Sequence, residues 1–506
     1  MRAWLSRLPL FLQMAGVAAL AMYLPAFFAV SQNDFFAARS FFYSATLFLL
    51  LIGLVGVAMS GRRPRLDARN QLLTLLAAFT VLPIMLAVPF NEAVLTTTFY
   101  NSYFEMVSSL TTTGATLFDD PERLSQPVHF WRGIVGWMGG FLAWMMAAAI
   151  LAPMNLGGFE VTSTSMAGQE TGTFSQISKV ASASERVTRF SMMLAPIYGV
   201  LTLVLWLALI LAGDTPFVGL VHSMSTLATS GISPVGGLAG GDSGRAGELM
   251  VLFFLVFALS QKTFMPTRNK NWSQRLHQDP EIRIGLAILV LVPSLLFLRH
   301  WVGAYEINDQ EDLPAAFSSL WGGLFTVFSY MTTAGFESAD WVSAGSWSGL
   351  RTPGMILMGL AVFGGGVATT AGGVKLFRVY ALFKHGVREI EKLSHPSSVA
   401  GQGAAARLIR RKGAYIAWIF FMLFALSIAL VTLALALTGI DLEPAMIFSV
   451  SALSTTGPLA VVAGETPYSY ADLDGLAKGI LAAAMVLGRL EALAIIALFN
   501  PEFWRS

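Results

Sequence analysis

The chain has 506 residues, 55% of them hydrophobic and only 12% charged, with a formal net charge of +2. Soluble chains carry about a quarter of their residues as charges, so this composition and a mean hydropathy of +0.64 exclude a soluble globular protein. Cysteine is absent, which excludes disulfides and thiolate metal sites.

Apolar runs near the ~20 residues that cross ~30 Å of hydrocarbon recur along the whole chain, predicting helices rather than the alternating strands of a barrel. In chain order the expected spans are 8–30, 41–60, 71–90, 131–153, 190–212, 248–266, 284–304, 353–383, 415–438 and 475–499. The first follows Arg2 and Arg7 as a signal peptide would, but its length predicts a retained helix. Connections at Arg62, Arg63, Arg65 and Arg69, at Lys262, Arg268, Lys270 and Arg275, and from Lys384 to Lys412 fall on one side, cytoplasmic by the positive-inside rule, and both termini share it. The opposite connections carry Asp119, Asp120 and Glu122, then Glu306, Asp309, Glu311 and Asp312, then Asp441, Glu443 and Glu465.

A polar string recurs four times between these spans: SSLTTTG from 108, STLATSG from 225, SYMTTAG from 329 and SALSTTG from 451. The strings end at Gly114, Gly231, Gly335 and Gly457. A serine stands six residues before each glycine, Leu or Met four before, and Thr112, Thr229, Thr333 or Thr455 two before. With two spans per repeat every string faces the acidic side, and the stretch before each reads as a half-helix too short and too polar to cross. The expected fold is an all-α polytopic membrane protein of four parallel helix, re-entrant loop, helix repeats around one pore, with two extra N-terminal helices. The expected bounds are 1–65 for the extension and 66–165, 166–276, 277–400 and 401–506 for the repeats.

Irregular backbone at membrane depth must line a cavity or lie inside protein, since lipid cannot satisfy its N–H and C=O groups. Thr112, Thr113 and Gly114, Thr229, Ser230 and Gly231, Thr333, Ala334 and Gly335, and Thr455, Thr456 and Gly457 offer neutral carbonyl and hydroxyl oxygens without a carboxylate, a set suited to K⁺ rather than a divalent ion. Half-helix C-termini add about half a negative charge each. Ser230, Ala334 and Pro458 depart from exact repetition, so the ring is expected to be only approximately fourfold. One such string alone reads more readily as a helix C-cap or a small-residue packing site than as a filter; four in register favour a filter.

Gly364, Gly365, Gly366, Gly372 and Gly373 interrupt the second span of the third repeat, where each glycine costs about 1 kcal/mol in a helix. The segment reads as an intramembrane loop or as close helix packing. Arg489, eleven residues beyond Lys478 and so about 16 Å along a helix, sits near the midplane and needs water or a carboxylate partner. The six histidines, at 129, 222, 277, 300, 385 and 395, show no ligand spacing, and no paired-carboxylate or metal set supports an enzyme. The basic stretch 384–412 needs no more than topology and anionic lipid, and no nucleic-acid partner is expected.

The four strings resemble the selectivity filters of the Trk/Ktr/HKT superfamily of cation transporters, and the two extra N-terminal spans resemble its TrkH family of K⁺-translocating subunits of bacterial Trk systems. The resemblance covers nearly the whole chain after about residue 65. It implies K⁺ as the transported ion, since the Na⁺-selective plant members carry serine at the first glycine, and no organic cofactor on this chain. It implies a gate below the filter, a separate structure on the same axis, formed by Gly364, Gly365, Gly366, Thr369, Thr370, Gly372, Gly373 and Lys375 with Arg489 opposing cation passage. It further implies a homodimer in the bacterial cytoplasmic membrane and a cytosolic nucleotide-binding regulatory ring, TrkA. A Na⁺ or K⁺/Na⁺ cotransporter of the same superfamily, and a membrane receptor that transports nothing, are the alternatives.

Overall fold

The computed structural model describes residues 9–59, 68–153, 183–260, 279–304, 313–347, 349–350, 352–395 and 413–491. The charged connections at Arg62 to Arg65, Lys262 to Arg275, Glu306 to Asp312 and Arg407 to Lys412 lie outside the described residues, among which no strand occurs. Two helices, α1 (Leu10–Ser31) and α2 (Phe35–Met59), precede the repeats. The first repeat holds α3 (Asn70–Ala93), α4 (Phe99–Leu110) and α5 (Gln126–Leu151). The second holds α6 (Ala183–Ala212), α7 (Pro216–Ala228) and α8 (Gly244–Leu255). The third holds α9 (Pro280–Ala304), α10 (Leu313–Met331), α11 (Gly354–Phe363) and α12 (Leu376–Ser394). The fourth holds α13 (Gly413–Ala436), α14 (Leu442–Leu453) and α15 (Gly475–Leu490).

Seven helices among the described residues are long and apolar enough to span a membrane: α1, α2, α3, α5, α6, α9 and α13. Ten were expected, and the three that differ are the second helices of repeats two, three and four. α8 tightens to a 3₁₀ turn over Val256–Ala258, α11 stops before Gly364 at φ +70°, and α15 stops before Glu491 at φ +62°. In the first repeat the end of α5 loosens to π geometry over Ala147–Leu151. Departures from α geometry in the middle of a helix mark places where side chains or backbone must meet something other than lipid.

The second helix of each repeat packs on the half-helix of the next: α5 on α7, α8 on α10, α11 on α14, and α15 back on α4. The four repeats therefore close into a ring. Small residues permit these approaches, as they do between membrane helices generally. A β-carbon on Gly140 would lie 2.7 Å from the Ala228 Cα, and one on Gly133 3.4 Å from Val221. Leu47, Leu207, Leu291 and Leu430 remain exposed on the outer faces of the spanning helices, where lipid is as apolar as they are.

Candidate functional site

Each half-helix ends in the same way. The N–H of Thr112, Thr229, Thr333 and Thr455 donates to the carbonyl three residues back, at Ser109, Thr226, Tyr330 and Ala452. The next N–H, of Thr113, Ser230, Ala334 and Thr456, reaches five back to Ser108, Ser225, Ser329 and Ser451. This paired arrangement is a Schellman cap, which needs a left-handed residue after the helix and usually takes glycine there. Here a threonine takes it every time, at φ +55°, +50°, +56° and +55°. The helix-cap and filter readings of the sequence therefore describe one object, in which threonine makes the cap and the glycine two residues later is free for the ring.

Three of those glycines are left-handed as well, Gly114 at φ +72°, Gly231 at +65° and Gly335 at +73°. Left-handed residues separated by one right-handed residue let successive carbonyls face one side instead of alternating. Gly457 is the exception, because the residue before a proline is driven to extended φ, and Pro458 follows it. None of the four has room for a side chain. A β-carbon on Gly114 would overlap the Ser230 carbonyl oxygen, one on Gly231 would lie 2.7 Å from the Ala334 carbonyl oxygen, and one on Gly335 3.0 Å from the Pro458 ring. Gly457 lies against the Gly114 and Ala115 backbone and donates its N–H to the Thr113 carbonyl at 2.5 Å. The contacts run from the first corner round to the fourth and back. All four glycines line one cavity of about 530 Å³, to which Asp119 and Glu337 contribute carboxylates.

The serine six before each glycine fastens the returning chain. Ser108 Oγ donates to the Ala115 carbonyl (2.7 Å), Ser329 Oγ accepts from the Phe336 N–H (2.7 Å), and Ser451 Oγ donates to the Thr456 carbonyl (2.9 Å). Ser225 Oγ instead pairs with Ser230 Oγ at 3.0 Å. A second set of staples, nine residues before each glycine, was missed in the sequence because its residue types differ. Glu105 accepts from the Leu117 N–H (2.5 Å) and Thr116 Oγ1 (2.9 Å) and pairs with Arg132 at 3.1 Å. His222 meets Ser233 at 2.8 Å, and Thr326 Oγ1 accepts from the Ser338 N–H at 3.2 Å. Phe448 packs on Tyr470, ring centroids 4.9 Å apart. Extending the repeat alignment three residues towards the N-terminus would have placed these four in one column.

The glycine-rich segment is a loop and not a packed helix. It leaves α11 at Gly364 and returns to α12 through Lys375 at φ +83°. Its neck is closed by N–H to carbonyl bonds from Val374 to Val362, Lys375 to Phe363 and Leu376 to Gly365. Side attachments take three more of its N–H groups: Gly366 donates to the Ala258 carbonyl (2.9 Å), Val367 to Glu281 (2.8 Å) and Gly372 to Thr333 Oγ1 (2.8 Å). The last bond joins the loop to the ring, so the two elements, distinct in the chain, are in contact. Thr369 Oγ1 donates to the Gly366 carbonyl (2.8 Å) and Lys375 Nζ to the Ala371 carbonyl, so both brace the loop from within.

Arg489 is half-buried, and its Nη1 donates to the Thr370 carbonyl at 2.7 Å, while Nε and Nη2 are buried with no hydrogen-bond partner among the described residues. No carboxylate pairs with Arg489 among the described residues: Glu491, two residues on, pairs with Arg378 at 2.7 Å, and that guanidinium lies 3.6 Å above the Phe420 ring. Arg489, Lys375 and the loop border a small cavity of about 40 Å³ together with Ala147 and Leu151 of the π turn. The irregular ends of all four second helices therefore surround the loop, which α8 meets through Ala258.

This arrangement has known counterparts. The chain matches the TrkH family, described as cation transport protein, over residues 39–236 and 286–506. It is 32% identical over 476 residues to the Trk system potassium uptake protein TrkH of Halomonas elongata, covering 91% of this chain and 92% of that one. It is 30% identical over 490 residues to the protein of the same name from Escherichia coli K12, covering 96% of each. The crystal structure of the potassium transporter TrkH from Vibrio parahaemolyticus superposes with a TM-score of 0.82 at 26% identity over 99% of both chains. The chain belongs to the TrkH family of cation transport proteins.

Proposed function

We propose that the chain translocates K⁺ across the bacterial cytoplasmic membrane as the pore subunit of a Trk-type uptake system. The observation that carries this reading is the closed ring of four left-handed backbone turns opening onto one cavity, supported by the names of the relatives. The twelve residues Thr112 to Gly114, Thr229 to Gly231, Thr333 to Gly335 and Thr455 to Gly457 form the filter. Their neutral oxygens replace the hydration shell of a monovalent cation, and the acidic vestibule concentrates cations before entry. Gly364 to Gly366, Thr369, Thr370, Gly372, Gly373 and Lys375 form the gate, and the guanidinium of Arg489 sets a positive barrier beneath it. The pore loops face outward, and the repeats divide at 66–165, 166–276, 277–400 and 401–506.

Within the same reading the chain acts as a homodimer and is opened from the cytosol by a nucleotide-binding ring resembling TrkA. Uptake of isotopic Rb⁺ and Na⁺ into liposomes holding the purified chain tests the function. Rb⁺ flux well above Na⁺ flux is expected. Equal fluxes would favour a cotransporting member of the superfamily, and no flux of either ion with or without the regulatory ring would overturn the reading.

A further inference from the structure

The four left-handed threonines hold equivalent places in the backbone, yet their hydroxyls are used differently. Thr112 Oγ1 and Thr455 Oγ1 are buried without a hydrogen-bond partner among the described residues. Thr229 Oγ1 donates to the carbonyl of its own neighbour, Ala228, at 2.7 Å. Thr333 Oγ1 accepts from another element, the Gly372 N–H of the loop, at 2.8 Å. Gly372 is also pressed against the next corner, where a β-carbon on it would overlap both the Ser454 carbonyl oxygen and Thr455 Oγ1. One loop residue thus sits across the third and fourth corners of the ring, bonded to one and in contact with the other. The loop's other attachments, at Ala258, Glu281 and Arg489, lead away from the ring.

We propose that Thr333 is a positioning residue that couples the gate to the filter. Its hydroxyl holds the loop seated through the Gly372 N–H. When the loop withdraws, that oxygen is released next to the fourth corner and joins the hydroxyls of Thr112 and Thr455 as one without a hydrogen-bond partner among the described residues. The closed and open states then offer a cation different ligands there: a ring corner occupied by an N–H donor, which repels a cation, or a third free hydroxyl oxygen, which binds one. This proposal rests on the filter and gate reading above and deepens it.

The chain has no native cysteine, so a single thiol reports the loop without background. Thr369→Cys is introduced into the full-length protein in liposomes, and its labelling rate by a small thiol reagent is measured alone and together with Thr333→Val or Thr333→Ser. The valine variant should label about three to ten times faster, the shift in equilibrium carried by one neutral hydrogen bond, while the serine variant keeps the rate of the Thr369→Cys background. An unchanged rate in the valine variant overturns the proposal, as does a serine variant that labels as fast as the valine one. Should the valine variant fail to fold, Thr333→Ala decides, because it lacks the hydroxyl and tolerates φ +56° at lower cost. Rb⁺ flux separates this proposal from the gate reading. Faster labelling with unchanged flux shows that Thr333 seats the loop but removes the loop as the barrier, and so overturns the gate reading and the coupling with it.

Discussion

A β-branched residue in the left-handed region is an outlier that costs about 1–3 kcal/mol and persists only where its surroundings over-determine it. Thr112, Thr229, Thr333 and Thr455 all hold it. Threonine's recurrence was legible from the repeat alignment, but its backbone state was not, since residue type alone predicts glycine for that role. Gly114 was legible in both respects, and Gly114→Ser is expected to lower the Rb⁺/Na⁺ uptake ratio by about tenfold, because strain of about 1–3 kcal/mol falls on one corner of the ring. The same ratio in mutant and parent would refute it. Arg489→Ala should raise basal cation flux while leaving the melting temperature near that of the parent, since the residue gives up one hydrogen bond and no ion pair among the described residues. Unchanged flux with a lower melting temperature would make Arg489 structural. Glu105→Ala strands the Arg132 guanidinium inside the protein, which costs about 3–5 kcal/mol, and a marked drop in detergent melting temperature is expected. If Glu105→Ala melts with the parent, the pair does not hold the first corner.

At the scale of the element, glycine density marked the second span of the third repeat as either broken or closely packed, and it could not tell which. Five glycines announce backbone freedom, whereas the fold-back that joins Val362, Phe363 and Gly365 to Val374, Lys375 and Leu376 depends on Glu281, more than eighty residues earlier in the same repeat, and on Ala258 and Arg489, which lie in other repeats. The shape bears on what a deletion does. Removing Ala368 to Ala371 shortens an excursion and not a helix, so the repeat should still fold and flux without the regulatory ring should rise. Because Gly372 touches Thr333 and Thr455, the same deletion should also lower the Rb⁺/Na⁺ uptake ratio. A folded but silent protein would remove the loop as a gate, and a raised flux with full selectivity would remove its contact with the ring as a functional one. Helix α10 was likewise expected to be short and runs for 19 residues, with Trp321 Nε1 donating to Glu248 of the preceding repeat at 2.6 Å.

For the whole molecule, the ring closes because each repeat lends groups to the next. Glu248 in α8 accepts from Trp321 Nε1, from Ser338 Oγ (2.8 Å) and from the Ala339 N–H (2.8 Å), clamping the outer loop of the third repeat from the second. Glu248→Ala leaves these donors unsatisfied at about 1–3 kcal/mol for each one that water cannot reach, so a lower melting temperature is expected and an unchanged one would show the clamp idle. The fourth repeat returns to the first through Tyr100 on the Gly475 carbonyl (2.7 Å) and Ser469 on Asp119 (2.6 Å). By itself the sequence determined the solvent, the number of repeats and the residues at each corner, because hydropathy and period are properties of short windows, while it left the glycine-rich segment open between a loop and a packed helix. Only the tertiary structure decided that threonine makes each cap, that Glu491 serves Arg378 and leaves Arg489 without it, and that Gly372 rests on Thr333. These depend on which of several competing donors and acceptors, a hundred or so residues apart, come within hydrogen-bond reach once the ring has closed.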